Sequence, residues 1–188
     1  MSTEIETEML RLRATPMSNR RVPTSALLTL AEDSLGVEFP TIYREFLEQY
    51  SYYSVVADCP CQTMNGTYIE YFYGFRLDRD ESECFLELDE LGTAPHAISI
   101  GCDLFGGQFL MFLTSTAHGR IYFCDVEGSG GDFLDDPEWE SNGLSFDDLP
   151  DFDKTEDKPV AFQNLHFVAP DFISFLRMLN PSDRDRPT

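Results

Sequence analysis

Positive charge and long apolar runs are both scarce in this sequence. Its 188 residues include 13 lysines and arginines against 34 aspartates and glutamates, so the formal net charge is −21. No run approaches the ~20 apolar residues that a membrane-spanning helix needs, and the N-terminus lacks the charged-then-apolar layout of a secretion signal. We therefore expect a cytoplasmic protein with no membrane partner. We also expect no direct binding of nucleic acid by the folded body, because a strongly negative field repels a polyanion.

Sequence motifs for catalysis and cofactor binding are missing as well. There is no nucleophile elbow, Walker loop, dinucleotide fingerprint or zinc-protease helix, and the chain has just three histidines. We predict a protein that is not an enzyme and has no cofactor. Two alternatives stay open at this point. One is a cysteine nucleophile paired with a histidine, at Cys102 or Cys124; the other is a hydrolase with strand-end carboxylates at Asp103, Asp125 and Glu127.

The five cysteines favour reduced thiols, since their number is odd and most lie inside apolar runs. The spacing of Cys59 and Cys61 is tighter than the usual zinc pair, so we interpret them as thiols beside a turn. Residues 125–136 place oxygen ligands at several offsets of a calcium loop, but a strand and an acidic stretch flank them where a calcium loop has helices. We predict no metal site.

The stretch around which the fold is organised is predicted to be a β-meander in residues 97–127. Alternating apolar residues there indicate three short strands, with turns at 106–107 and 118–119 where glycine tolerates a positive φ. The middle strand, 109–113, is apolar on both faces. It should therefore lie inside a sheet that is covered on both sides.

Helices are predicted on either side of this meander. The first begins at a cap, Thr24 or Ser25, and ends at Gly36; the second begins at a Thr41 cap; the last has Pro170 as its first residue. The buried stripes of these helices are predicted at Leu27, Leu28, Ala31 and Leu35, then at Ile42, Phe46, Leu47 and Tyr50, and finally at Phe172, Phe175, Leu176 and Leu179. Other segments are predicted as a strand at 67–75, a short helix at 85–91 closed by Gly92, and an edge strand at 160–168. This order predicts an α+β fold in which helices pack on an antiparallel sheet.

The predicted domain organisation is one folded unit with polar extensions. Residues 1–22 are interpreted as a mobile arm, with a possible short helix at 4–13. The α+β domain follows at 23–181, with an acidic insertion at 128–158. Residues 182–188 form a tail.

The order of several short motifs resembles the SUKH superfamily, which includes fungal Smi/Knr regulators and bacterial immunity proteins. The matching pieces span residues 24–181. They are LGV at 35–37, FP at 39–40, YREFL at 43–47, FYGF at 72–75, ISIGCD at 98–103, GG at 106–107, the strand 109–113, GRIYFCD at 119–125 and the closing helix 172–179.

The resemblance implies a SUKH-like fold and a binding function. It suggests an immunity protein that neutralises a cognate toxin, a basic nuclease or deaminase domain, because an acidic surface can imitate the phosphate backbone. The alternative is a regulatory scaffold of the Smi/Knr type that recruits partners through its arm and tail. For the contact surface we predict the acidic set after the third meander strand, with one aromatic anchor. These candidate residues are Asp125, Glu127, Asp132, Asp135, Asp136 and Trp139.

Overall fold

The computed structural model describes residues 3–18, 20–60, 67–77, 84–86, 97–103, 105–113, 117–124 and 165–182. The helices in these ranges are α1 (Thr3–Arg11), α2 (Ser25–Leu35), α3 (Thr41–Tyr50) and α4 (Phe172–Met178). The strands are β1 (Thr15–Pro16), β2 (Tyr53–Asp58), β3 (Tyr68–Phe72), β4 (Phe75–Leu77), β5 (Cys84–Leu86), β6 (Ala97–Cys102), β7 (Gln108–Phe112), β8 (Ile121–Cys124), β9 (Leu165–Ala169) and β10 (Asn180–Pro181).

One antiparallel sheet organises the fold. Its strand order is β1-β2-β3-β6-β7-β8-β9, and β10 also pairs with β2, while β4 and β5 form a separate hairpin. The predicted α+β fold is therefore confirmed. Within the described ranges, no helix has the length and apolarity that crossing a bilayer would take.

The predicted three-strand meander is confirmed as β6, β7 and β8. All residues of β7 are buried, as expected for a strand covered on both faces. Phe109 and Met111 face the helices and belong to the main hydrophobic core, whereas Leu110 and Phe112 are buried on the other face. The predicted turns have the expected backbone, with φ at 88° for Gly106 and 83° for Gly119.

An aromatic cluster joins the helices to the sheet. The Phe46 ring of α3 lies 4.7 Å from the Phe172 ring of α4 and 5.2 Å from the Phe72 ring of β3, measured between centroids. The Phe175 ring of α4 lies 5.3 Å from the Phe109 ring of β7. These contacts come from four elements, so the cluster holds both helices against the middle of the sheet.

The two helices before the sheet differ in how they begin. The Thr24 side chain accepts a hydrogen bond from the Leu27 N–H at 3.2 Å, and Gly36 ends α2 at φ 67°, as predicted. The predicted Thr41 cap is wrong, because Pro40 occupies the cap position of α3 and makes no side-chain hydrogen bond there. The cap of α3 is therefore one residue earlier than predicted, and Thr41 is the first helical residue.

The predicted mobile arm contains a packed helix. Ile5 and Met9 of α1, and Leu12 directly after it, are buried in the main core, and α1 contacts α4. The Arg11 guanidinium also donates to the carbonyl oxygen of Leu176 at 2.6 Å. Such a bond satisfies a carbonyl at the end of α4, so an arginine that the sequence placed in an arm joins two helices.

Two predictions beyond the second helix need correction. The predicted strand 67–75 breaks at Gly74, where a Cβ atom would lie 2.4 Å from the Ser51 Oγ. A side chain at position 74 is therefore excluded. Phe75 begins the separate β4–β5 hairpin, and its backbone N–H donates to the same Ser51 Oγ. The predicted helix at 85–91 is wrong at its start, since β5 (Cys84–Leu86) pairs with β4; the residues after it lie outside the described ranges.

The C-terminal part agrees with prediction except at the start of its helix. A strand, β9, pairs with β8 at the end of the sheet path, which agrees with the edge strand predicted at 160–168 as far as the structure describes it; residues 160–164 lie outside the described ranges. The cap of α4 is Asp171, whose carboxylate accepts the Ser174 N–H at 2.8 Å, so Pro170 is not the first helical residue. The predicted stripe of α4 is confirmed, because Phe172, Phe175, Leu176 and Leu179 are all buried. The predicted buried stripe of α2 is wrong at Leu35, which is exposed.

Candidate functional site

The acidic set predicted from sequence begins directly after β8 ends at Cys124. All six residues lie outside the described ranges, so their role stays a prediction. They are Asp125, Glu127, Asp132, Asp135, Asp136 and Trp139.

Within the described part of the chain, an acidic groove of about 500 Å³ lies where the end of α2 meets the β7–β8 turn. The last turn of α2 and the loop to α3 form one wall, and the end of β7 with its following turn forms the other. A groove of this size falls in the range that ligands or inserted side chains occupy in proteins. Its lining residues are Glu32, Asp33, Gly36, Val37, Glu38, Leu113 and His118.

Glu32 has a structural role at the base of the groove. One carboxylate oxygen accepts the Phe39 N–H at 2.9 Å, and the other forms an ion pair with the Arg44 guanidinium. Arg44 also donates to the Ser25 carbonyl oxygen at 3.0 Å. These bonds join α2, its following loop and α3, and the positive charge of Arg44 offsets that of Glu32.

Asp33 and Glu38 carry the negative charge at the groove surface. Both side chains are exposed, and among the described residues neither forms an ion pair. Asp33 lies in the last turn of α2, and Glu38 lies in the loop that follows Gly36. Two exposed carboxylates on one wall make the groove suited to a cationic side chain, since arginine pairs well with carboxylate oxygens.

His118 links the two walls. Its Nε2 atom lies 3.0 Å from the Glu38 carbonyl oxygen, which can only accept, so Nε2 carries the proton. Leu113 is buried beside it and supplies an apolar floor. The side chain of His118 is exposed, and its hydrogen bond holds the α2–α3 loop against the β7–β8 turn.

Sequence reasoning did not find this groove. Glu38 and His118 are 80 positions apart, and no motif connects them. The local signals at each place were correct, namely a helix end and a hairpin turn. The sheet and the α2–α3 pair bring these two segments together, so the groove follows from tertiary packing.

Asp103, a candidate of the hydrolase alternative, closes a turn. One of its carboxylate oxygens accepts the Phe105 N–H at 2.9 Å and the Gly107 N–H at 2.7 Å. Two such bonds to backbone donors are typical of a carboxylate that stabilises a loop. Its proposed partners, Asp125 and Glu127, lie outside the described residues.

The strand register separates the cysteines from two of the histidines. Cys102 pairs with Gln108 at the start of β7, whereas His118 follows the end of that strand, at least ~13 Å away. His166 pairs with Phe123 on the helix-facing side, so it points away from the face that carries Cys124. Burial also raises the pKa of the Cys102 thiol, which disfavours the nucleophilic thiolate.

The described thiols and acids form no metal-binding group. The thiols of Cys59 and Cys102 are buried, as predicted, and that of Cys124 is half-buried. No set of three or more histidine, cysteine or acidic side chains in the described ranges could hold a metal ion. Cys61 and the residues of the predicted calcium loop lie outside those ranges.

No protein-family model, curated protein or solved structure matches this chain.

Proposed function

We propose that this protein is an immunity protein that binds and neutralises a cognate toxin, a basic nuclease or deaminase domain, through its acidic surface. The net charge of −21 carries the proposal. A toxin that acts on nucleic acid needs a positive surface around its active site, and an acidic protein can occupy that surface. Binding then blocks the substrate without any reaction by the inhibitor.

The motifs behind the family resemblance support the proposal through their structural roles. Gly36 ends α2 in the left-handed conformation, Arg44 joins α2 to α3, and Phe46 lies in the aromatic cluster. Gly74 occupies a position that excludes a side chain. These four motif residues therefore have structural roles in this fold, which supports the resemblance as part of the proposal.

A rescue experiment with a binding assay tests the proposal. Cells that express the toxin encoded beside this protein should survive when the protein is co-expressed, and the two purified proteins should form a complex. Electrostatic steering speeds association by ~10- to 1,000-fold, so raising the salt concentration should slow the on-rate at least tenfold. Absence of both rescue and complex formation would exclude this function. An on-rate that ignores salt would exclude the electrostatic part alone.

The Smi/Knr-type scaffold remains the second candidate. Its use of a mobile arm is weakened by the packing of Ile5, Met9 and Leu12 in the core. Affinity purification separates the two candidates: an immunity protein should retain one tight basic partner, whereas a scaffold should retain several weak ones.

A further inference from the structure

Helix α2 packs against the body along one side only. Among its residues whose side chains the structure describes, only Leu28 is buried. Leu27 and Ala31 are half-buried and pack against the main core, and polar contacts join Glu32 to Arg44 and Ser25 to Glu48. The opposite side of α2 therefore faces solvent along its length.

That outward side combines an apolar patch with a carboxylate. Leu30 is 63% exposed, and Ala26 and Asp33 are exposed on the same face, because residues three or four apart lie together on a helix. Burying Leu30 against a partner would remove apolar surface from water, which favours association. An exposed leucine beside an aspartate fits a partner that is both apolar and basic.

The outward face of α2 continues into the acidic groove through Asp33, which belongs to both. The groove adds Glu38 as a second exposed carboxylate, with Val37 and buried Leu113 as apolar lining. A guanidinium or ammonium group between the carboxylates would gain charge-assisted hydrogen bonds, while its aliphatic stem would contact the apolar lining.

We propose that the outward face of α2 and the acidic groove form one docking surface for a basic amphipathic segment of a protein partner. An arginine or lysine of that segment enters the groove between Asp33 and Glu38, and an apolar side chain covers Leu30. The inference rests on the proposed immunity function for the identity of the partner. Exposure and charge complementarity support the surface itself, since a net charge of −21 favours a cationic partner.

A peptide experiment tests the surface without the toxin. The probe is a helical peptide of leucine and arginine, and a leucine–glutamate peptide of the same pattern is the control. The leucine–arginine peptide should shift the amide NMR signals of α2 and of the β7–β8 turn in the full-length protein. The leucine–glutamate peptide should not shift them. Shifts that map elsewhere, or no binding by the basic peptide, would overturn the proposal.

Charge-reversal variants distinguish the site from general attraction. Asp33→Lys with Glu38→Lys should weaken peptide binding at least tenfold, and Leu30→Ser should weaken it at least threefold. Glu4→Lys with Glu6→Lys changes the net charge equally on exposed residues of α1 and should have less than a threefold effect. Equal losses in both double variants would overturn the proposal.

A third variant compares the α2 docking surface with the acidic set predicted from sequence. Asp132→Lys with Asp135→Lys reverses two charges in that acidic set. A loss of peptide binding confined to this variant would overturn docking at α2.

A toxin-neutralisation assay distinguishes failure of the docking surface from failure of the proposed function. If Asp33→Lys with Glu38→Lys still neutralises a toxin that the wild type neutralises, the docking surface is wrong and the function stands. If the peptide docks at α2 but no toxin is neutralised, the function is wrong and the surface stands.

Discussion

Replacing Tyr43 by phenylalanine should stabilise this protein. The Tyr43 side chain is 1% exposed, and its hydroxyl has no hydrogen-bond partner among the described residues. The rings of Phe39, Phe46 and Phe172 surround it, with centroids 5.7, 6.1 and 5.1 Å away. An unpaired buried polar group costs ~1–3 kcal/mol, and phenylalanine keeps the ring contacts. We expect the free energy of unfolding to rise by about 1 kcal/mol, which raises Tm by ~2–4 °C for a chain of this size.

Urea unfolding followed by circular dichroism measures this change at neutral pH. Tyr43→Leu is the matched control, because it removes the hydroxyl together with the ring contacts, and it should lower the free energy of unfolding by about 1–3 kcal/mol. If Tyr43→Phe also lowers stability, by more than about 0.5 kcal/mol, the hydroxyl has a hydrogen-bond partner and the reasoning is refuted.

The same variant predicts a change in alkaline stability. Burial raises the pKa of the Tyr43 phenol above its ordinary value of 10.0. Above pH ~10 the unfolded chain releases a proton that the folded state keeps, so the stability present at lower pH is lost as pH rises. Tyr43→Phe removes this contribution, and its advantage over the wild type should grow between pH ~8 and ~11. Burial raises the pKa of Tyr71 and Tyr122 as well, so part of the alkaline loss should remain. A constant difference between the two proteins would contradict this account.

Three further predictions address the packed helix, the turn and the polar link. Leu12→Ala should lower the free energy of unfolding by ~2–5 kcal/mol, because the residue is 1% exposed; a mobile arm would give no change in the same urea titration. Asp103→Ala should lower Tm by removing two backbone hydrogen bonds worth ~1.5–3 kcal/mol each, and it should leave toxin neutralisation intact, whereas a catalytic Asp103 would lose function without losing stability. A double-mutant cycle with Glu32→Gln and Arg44→Gln should give a coupling energy of about 0.5–3 kcal/mol, and additive effects would show that the ion pair does not join the helices.

Features that depend on neighbouring residues were predictable from the amino-acid sequence. A cap at Thr24 or Ser25 and a stop at Gly36 are predicted for α2, because capping bonds and a positive φ are satisfied within a few positions of the chain. The middle strand of the meander was placed inside the sheet, because apolar residues on both of its faces require cover on both sides. The α+β class followed from the order of these elements.

Several local signals were ambiguous, and packing decided between them. Thr41 and Pro170 each had a reasonable place at a helix start, but the structure begins those helices at other cap residues, Pro40 and Asp171. The path by which the chain enters a helix selects the cap, and that path depends on what the helix packs against. Residues 67–75 have the sequence pattern of one strand. The break at Gly74 is not visible in that pattern, because Gly74 lies against Ser51 only in the folded chain.

Long-range contacts were decided by the tertiary structure alone. The few apolar residues of α1 do not reveal from sequence that they are buried, because their packing partner α4 is distant in the chain. Arg11 likewise donates to the Leu176 carbonyl oxygen, 165 positions away. Likewise, Glu38 and His118 form one groove only because the sheet places the β7–β8 turn beside the end of α2. Periodicity and capping report interactions within a few residues, whereas a site built from distant segments depends on how the elements pack.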